Sequence, residues 1–217
     1  MSLSLAVIGG GNMARSIVTG AINGNVLKSS DIAIVDPDET SRDYFAQLGC
    51  STFEFAKDLP DAACVLLAVK PQVFELVAPF TNAPIVYSIM AGVSTNRIAE
   101  LVGHERVVRV MPNLPCSIGQ GAAGIVLGEG ASEDDAALAR TMFCEIGIVV
   151  DVPEELMDAV TAVSGSGPAY VFLLAEAMSR GAMEAGLSEE TADKLVRQTI
   201  RGAAELLVQD KRDPREL

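Results

Sequence analysis

The first two thirds of the chain alternate short apolar runs with amphipathic stretches. Five of the runs are almost continuously apolar rather than alternating, which is typical of strands that are covered on both faces of a parallel sheet. They lie at 3–8, 32–35, 64–69, 85–89 and 107–111. Between them apolar residues recur at helical spacing, for example Met13, Ile17 and Ala21. Strand and helix in alternation predict a doubly wound α/β sheet with right-handed crossovers.

Two further strands, 122–127 and 148–152, bracket a helix that Ser132 and Asp135 open at capping-box spacing. After Pro153 the strand signals disappear. The segments 154–163, 169–185 and 189–208 are predicted to be helices. We therefore expect two domains, a dinucleotide-binding domain at 1–152 and a helical domain at 153–217. Small residues along the last helices allow close helix packing, in a dimer or within a buried helix of a monomer.

Composition narrows the classes of function. The 217 residues carry 29 acidic and 16 basic side chains, so a net charge of −13 argues against a nucleic-acid partner. The single histidine, His104, excludes sites with two or more His ligands, and four cysteines without a C-x-x-C give no case for a metal site. Neither a signal peptide nor a membrane span is predicted from the short apolar runs. We expect a soluble, reduced, cytoplasmic chain.

A glycine motif follows the first strand. Residues 9–14 read Gly-Gly-Gly-Asn-Met-Ala, which fits G-x-G-x-x-A with Gly9, Gly11 and Ala14. Gly9 permits the tight turn, Gly11 lets the backbone approach a pyrophosphate, and Ala14 keeps the helix close to the sheet. Phosphates would bind at the helix N-terminus, favoured by its dipole. The motif predicts a Rossmann-type nucleotide site, although a sharp strand–helix turn alone also needs glycines.

Asp36 ends the second strand, where an acidic residue binds the adenosine ribose hydroxyls and repels a 2′-phosphate. That rule favours NAD. Asp36-Pro37-Asp38 is also good turn chemistry, so a structural role stays open. No basic residue follows until Arg42, and a phosphate clamp is not obvious.

Three more loops follow predicted strands, where ligands bind in open α/β sheets. They are Ala68-Val-Lys-Pro-Gln72, Ser88-Ile-Met-Ala-Gly92 and Met111-Pro-Asn-Leu-Pro115. Lys70 is well placed for a cofactor ribose or phosphate, although a surface lysine needs no such role. Together the loops predict a cleft at one edge of the sheet.

The most specific segment is Ser-Gly-Ser-Gly-Pro-Ala-Tyr-Val-Phe at 164–172. With Ile-Gly-Gly-Gly-Asn-Met-Ala (8–14), Ala-Val-Lys-Pro-Gln (68–72), Met-Pro-Asn (111–113) and Gln-Thr-Ile-Arg-Gly-Ala-Ala (198–204), it resembles the pyrroline-5-carboxylate reductase family. The resemblance covers essentially the whole chain, and the five motifs occur in the same order.

The resemblance implies hydride transfer from a reduced nicotinamide to the C=N bond of 1-pyrroline-5-carboxylate, which gives L-proline. The cofactor would be NADP first, with NAD kept open by Asp36. Thr161 matches a threonine that would bond the ring nitrogen and assist proton delivery; its structural alternative is a bond to a preceding carbonyl. Substrate-binding residues would be Ser164, Gly165, Ser166 and Gly167. Cofactor-binding residues would be Ile8, Gly9, Gly10, Gly11, Asn12, Met13, Asp36, Ala68, Val69, Lys70, Pro71, Ala91 and Asn113.

Two positions depart from the family pattern. Leu114 stands where threonine is common, and Met90 stands where alanine is common. Both would lie near the nicotinamide, and Met90 is expected to narrow the cleft. The family also continues past this sequence, into a Ser-Pro-Gly-Gly-Thr-Thr loop and further helices. We therefore expect either a truncated sequence or a protein that binds cofactor better than it turns over substrate.

Two other functions would require different features from those of the reductase. A β-hydroxyacid or imine dehydrogenase would need a lysine on the interdomain helix, and none occurs between Lys70 and Lys194. A cofactor-binding protein without catalysis would bind NADPH but would not oxidise it. The resemblance further implies a homodimer through the C-terminal helices, with larger rings in some members.

Overall fold

The computed structural model describes residues 3–210 and 212–217, and it divides into two compact units, with the division between Ser166 and Gly167. The first unit contains an eight-stranded sheet of order β3-β2-β1-β4-β5-β6-β7-β8. The strands are β1 (Leu3–Ile8), β2 (Ile32–Val35), β3 (Ser51–Phe53), β4 (Ala62–Leu67), β5 (Val86–Ser88), β6 (Val107–Met111), β7 (Gly121–Leu127) and β8 (Gly147–Asp151).

All pairings in the sheet are parallel except one: β7 runs antiparallel to β6, and β8 then runs parallel to β7. The carboxyl ends of β1, β2, β4, β5 and β6 therefore share one edge. The predicted doubly wound α/β fold is confirmed, with the correction that its last two strands are reversed and that β3 was not predicted.

Among the described residues, the first unit contains six helices: α1 (Asn12–Asn23), α2 (Glu39–Gln47), α3 (Phe74–Val77), α4 (Thr95–Val102), α5 (Glu133–Cys144) and α6 (Met157–Val160). Side chains of Asp38, Ser94 and Ser132 accept backbone N–H groups at the starts of α2, α4 and α5. The predicted capping box of Ser132 and Asp135 is present. Each cap ends the preceding loop at a defined residue.

Apolar side chains on the two faces of the sheet form two cores. On one face Leu5 and Val7 pack with residues of α1 and α5, such as Ile17 and Phe143. On the other face Ala6 and Ile8 pack with a cluster that includes Phe74. Successive residues of a strand point to opposite faces, so a strand buried on both faces is apolar throughout. This explains why these stretches of the sequence are almost entirely apolar rather than alternating.

Residues 154–163 were predicted to be one continuous helix, but residues 154–165 contain three short helical elements within the first unit. They form a 3₁₀ turn at Glu154–Leu156, then α6, and then a π-helical turn at Thr161–Gly165. Apolar residues of this segment, Leu156 and Val160 among them, border a cavity together with Gly124 and Val150. The second compact unit starts at Gly167.

The second unit contains α7 (Gly167–Glu184) and α8 (Glu189–Gln209), which pack against each other. The connecting turn contains Gly186 at a φ of +100°, a conformation that favours glycine. None of the α7 side chains, all of which the structure describes, is buried. Five consecutive apolar side chains of α7 are exposed, from Tyr170 to Leu174. A surface of this kind is typical of an interface.

Two negative findings concern the described residues as a whole. Within residues 3–210 and 212–217, no helix combines the length and apolar character that crossing a membrane requires. In the same ranges, His, Cys, Asp and Glu side chains nowhere gather in a group of three that could hold a metal ion.

The four cysteines are free thiols, and burial raises the pKa of Cys50 to about 11 and that of Cys64 to about 12.

Candidate cofactor and substrate site

The glycine loop is shaped by the close approach of β1 and β4. Gly9 has a φ of +102°, and a Cβ there would lie 2.5 Å from the carbonyl oxygen of Ala68. The N–H of Gly9 donates to the carbonyl oxygen of Val35 at 2.8 Å, which connects the loop to the end of β2. Only glycine fits this position without moving the backbone.

Gly11, in contrast to Gly9, borders open space. It is the N-cap of α1 with an ordinary φ of −69°, and a Cβ built on it would meet no protein atom within 4 Å. No side chain caps α1, and its first turn contains no acidic residue. The first N–H groups of α1 therefore face open space with the positive end of the helix dipole, an arrangement that fits a pyrophosphate.

Asp36 connects the glycine loop with the end of β2. Its Oδ2 accepts the N–H of Gly10 at 2.6 Å, and its Oδ1 accepts the N–H of Asp38 at 2.8 Å. Arg42 donates to the carbonyl oxygens of Asp36 and Pro37 rather than to the carboxylate. Asp36 therefore has the structural role in a turn, and the same side chain also borders a cavity at this edge of the sheet.

A cavity of about 630 Å³ lies at this edge of the sheet. It brings together seven of the predicted cofactor residues: Ile8, Gly9, Gly11, Asp36, Ala68, Val69 and Lys70. Its far wall contains exposed apolar side chains, including Phe55, Leu76 and Phe80, together with Lys57. The Lys57 ammonium lies 5.4 Å from the centre of the Phe55 ring. This wall was not predicted, because an exposed aromatic residue cannot be told from a core residue by sequence alone.

Six predicted cofactor residues are not among the described residues that line this cavity: Gly10, Asn12, Met13, Pro71, Ala91 and Asn113. Gly10 acts through its bond to Asp36, and Pro71 begins a 3₁₀ turn. Met13 packs against the core, and Ala91 is exposed in the loop after β5. Asn12 lines a separate groove beside α1, and Leu114 lies in that groove too.

The expectation that Met90 narrows the cleft was wrong. Met90 is 1% exposed and packs in the core on the α3 side of the sheet, with Ile8 and Leu67. A methionine fits there because an unbranched, flexible side chain fills irregular core space.

The π-helical turn presents the predicted substrate residues. The N–H of Ser166 donates to the Thr161 carbonyl at 2.7 Å, which closes the wide turn. Thr161 Oγ1 donates to the Met157 carbonyl at 2.9 Å, and Ser164 Oγ donates to the Val160 carbonyl at 3.0 Å. The structural alternative for Thr161, a bond to a preceding carbonyl, is therefore what the structure shows. Turns of this type are frequent at functional sites.

Gly165 and Asn113 connect this turn to β6. A Cβ at Gly165 would lie 2.9 Å from Cε of Met111, the last residue of β6. The Asn113 amide donates to the Ser164 carbonyl at 3.1 Å. The turn is thus held at the same edge of the sheet as the glycine loop, because β1 and β6 point the same way. Gly167 begins α7 in the second unit.

The parallel sheet, the glycine loop and the uncapped start of α1 define a Rossmann-type dinucleotide-binding protein. Comparisons with known proteins agree. Residues 4–92 match the family described as NADP oxidoreductase, coenzyme F420-dependent, and residues 154–217 match the one described as pyrroline-5-carboxylate reductase dimerisation. The chain is 40% identical over 227 residues to the pyrroline-5-carboxylate reductase of Synechocystis sp., covering all of this chain and 84% of that protein. The chain belongs to the pyrroline-5-carboxylate reductase family.

Solved structures show the same relationship. The pyrroline-5-carboxylate reductase of Coxiella burnetii superposes with a TM-score of 0.87 at 33% identity, covering 100% of this chain and 83% of that one. The NADP-bound pyrroline carboxylate reductase of Plasmodium falciparum gives a TM-score of 0.84 at 27% identity, covering 99% of this chain and 82% of that one. These matches support a nicotinamide cofactor for the chain, without distinguishing NADP from NAD.

Proposed function

We propose that the protein reduces 1-pyrroline-5-carboxylate to L-proline, the last step of proline biosynthesis. The observation that carries the proposal is the arrangement at one sheet edge of two features: the open glycine loop, and the π-helical turn with Thr161. A reduced nicotinamide, when bound, supplies the hydride. The chain's own residues would bind and orient both molecules.

The hydrogen bond of Thr161 changes the role that we propose for it. Its hydroxyl hydrogen is committed to the Met157 carbonyl, so the oxygen offers lone pairs rather than a proton. Such an oxygen can accept the N–H of a protonated imine. Hydride addition to the carbon of a protonated C=N bond gives the secondary amine directly, and no further proton is required. Thr161 would therefore orient and stabilise the protonated imine, and the delivery of a proton is not needed.

Removal of the Thr161 hydroxyl is expected to weaken productive substrate binding. A hydrogen bond to a charged group contributes about 1.5–3 kcal/mol, so Thr161→Val should lower kcat/KM for the pyrroline at least about tenfold. Thr161→Ser keeps the oxygen and is the matched control, expected within about threefold of wild type. Steady-state kinetics with saturating cofactor measures both. Equal kcat/KM values for Thr161→Val and wild type would show that the role is wrong.

Ser164, Gly165, Ser166 and Gly167 are proposed to bind the substrate. The first three lie in or directly after the turn, and the Ser166 N–H is already used by the Thr161 carbonyl. Support comes from the fixed geometry of the turn, because bonds from both Asn113 and Ser166 restrain it. A preorganised turn loses little entropy when a ligand binds.

For the cofactor we propose NADPH first and keep NADH as the alternative. Lys57 and Lys70 line the cavity beside Asp36 and provide positive charge that a 2′-phosphate could use. Asp36 supports NADH, because a carboxylate on the adenosine side of the cavity repels that phosphate. The loop residues Ile8, Gly9, Gly10 and Gly11 and the first turn of α1, with Asn12 and Met13, would hold the pyrophosphate in either case.

The charge of Lys57 gives a direct test of the cofactor preference. If the enzyme uses NADPH through this side chain, Lys57→Ala should lower kcat/KM for NADPH about tenfold and leave that for NADH within twofold. Lys194→Ala, an exposed lysine on α8 paired with Glu190, removes the same net charge as a control. A wild-type enzyme with a large NADH advantage, or an equal effect of Lys57→Ala on both cofactors, would contradict the NADPH proposal.

The family match at 154–217 supports an oligomer, and we propose a homodimer through α7 and α8. The exposed run from Tyr170 to Leu174 is the surface that a second copy would cover. The cytoplasm is the compartment that we propose, in keeping with four free thiols.

One assay tests the function. The protein is mixed with NADPH or NADH, and the absorbance of the reduced nicotinamide is followed with and without 1-pyrroline-5-carboxylate. Oxidation that requires the pyrroline, with L-proline as product, is the expected result. Cofactor binding by calorimetry without any pyrroline-dependent oxidation would contradict it, and oxidation coupled to an oxoacid instead would indicate a related dehydrogenase.

A further inference from the structure

The side chain of Asn113 links three separate parts of the first unit. The residue lies two positions after the end of β6 and is 8% exposed. Its Oδ1 accepts the N–H of Ala122 in β7 at 2.9 Å, and its Nδ2 donates to the carbonyl of Ser164 at 3.1 Å. Only this orientation of the amide satisfies both partners, since one is a donor and the other an acceptor.

The Ser164 carbonyl needs such a donor for a reason that the sequence contains. In an α-helix this carbonyl would accept the N–H of the residue four positions on, which is Pro168 and has none. The side-chain amide of Asn113, 51 residues earlier in the chain, donates to this carbonyl instead. A partly buried carbonyl that loses its partner costs free energy, so the bond helps to fix where the turn lies.

We propose that Asn113 is a positioning residue for the substrate turn, acting through the Ser164 carbonyl, rather than a ligand of the cofactor. Both polar ends of its side chain are engaged by the protein, and it does not line the cavity beside the glycine loop, as far as the described residues show. Because Thr161 and Ser164 belong to one turn, holding the Ser164 carbonyl also holds Thr161. The inference rests on the proposed reductase function.

Asn113→Asp tests the bond selectively. The carboxylate can still accept the Ala122 N–H, but it cannot donate to Ser164 and repels that carbonyl oxygen. We expect KM for 1-pyrroline-5-carboxylate to rise about tenfold, while calorimetric Kd values for NADPH and NADH stay within twofold of wild type. A weaker cofactor Kd would mean that Asn113 acts on the cofactor, and an unchanged KM would mean that it positions nothing; either result overturns the proposal.

Tyr87→Phe is the matched structural control. It removes another buried hydrogen bond to a main-chain carbonyl, from the Tyr87 hydroxyl to Asp135 at 2.8 Å. This bond lies on the α5 side of the sheet. Its loss is expected to lower Tm without changing KM. If Tyr87→Phe raised KM as much as Asn113→Asp, a general loss of stability would explain both and the proposal would fail.

A second variant tests the chemical reason. Pro168→Ala supplies an N–H four residues after Ser164, so the double variant Asn113→Asp/Pro168→Ala should have a KM close to that of wild type. A KM that stays as high as in Asn113→Asp would overturn the route through Ser164. Wild-type activity separates this inference from the function. A wild type that does not oxidise cofactor with the pyrroline contradicts the reductase function, whereas an active wild type matched by Asn113→Asp contradicts the inference alone.

Discussion

Replacement of Glu154 by alanine is expected to lower the free energy of unfolding by about 3 kcal/mol, because it leaves a buried guanidinium without a partner. Arg109 is a residue of β6 whose side chain is 4% exposed, and its Nη1 donates to Glu154 Oε1. The other carboxylate oxygen, Oε2, accepts the N–H of Thr95 at 3.2 Å and its hydroxyl at 2.9 Å. Glu154 is 31% exposed, so we take the lower end of the range for a broken buried pair.

The loss should be visible as a decrease in Tm of roughly 10 °C for a chain of this size, measured at fixed protein concentration because the family forms oligomers. Glu155→Ala is the neighbouring control: this side chain is exposed, and its removal should change the free energy of unfolding by less than about 0.5 kcal/mol. A second change, Arg109→Met, should restore stability in the Glu154→Ala background, since it removes the unpaired charge. Equal Tm values for Glu154→Ala and Glu155→Ala would show that the pair contributes nothing.

The Glu154 pair also illustrates what sequence patterns do not contain. The apolar run at 107–111 predicted β6 with the bounds that the structure has, although Arg109 lies in its middle. The pattern could not show that a glutamate 45 residues later neutralises this arginine. Burial of a charge is decided by a partner distant in sequence, and one sequence gives no sign of which partner it is.

Local sequence predicted the strands best where both faces are covered, as in β1 and β2, which have the predicted bounds. The edge strand β3 was missed, since three partly exposed residues produce no apolar run. Helix α2 was missed as well: it is mostly polar, and Asp38 was assigned to a turn although its side chain caps the helix. The direction of β7 had a signal that was not used. The connection 112–120 is shorter than the dozen or so residues of a parallel crossover.

In the candidate site, too, local features were predicted and contacts between distant segments were not. The glycine loop could be predicted because its function depends on local backbone, at Gly9 and Gly11. The bond of Thr161 to Met157 is also local and was anticipated as an alternative. The proposed role of Asn113 could not be anticipated, because its partner Ser164 is brought close only by the packing of the turn on β6 and β7. Contacts between segments distant in sequence are therefore the part of the site that patterns missed.

Substitutions at Gly9 and Gly11 are expected to differ in their effect on stability: the first destabilises the fold and the second leaves it unchanged. In Gly9→Ala the new methyl group would lie 2.5 Å from the Ala68 carbonyl oxygen and 2.7 Å from its carbon, at a φ of +102°. Because the obstacle is backbone and not a movable side chain, β1 and β4 must separate at their ends. We expect a loss of about 2–5 kcal/mol in the free energy of unfolding, from the strained φ and the overpacking together.

Gly11→Ala should fold as well as wild type, because its φ is −69° and its methyl group meets no protein atom. The methyl group would instead occupy the space where the pyrophosphate approaches the backbone. An overpacking cost of about 1–3 kcal/mol in the complex corresponds to a cofactor Kd that is roughly 5- to 150-fold weaker. Thermal unfolding and calorimetric titration with NADPH and NADH separate the two variants. Wild-type cofactor affinity in Gly11→Ala would contradict the placement of the pyrophosphate, and wild-type Tm in Gly9→Ala would contradict the close approach of the two strands.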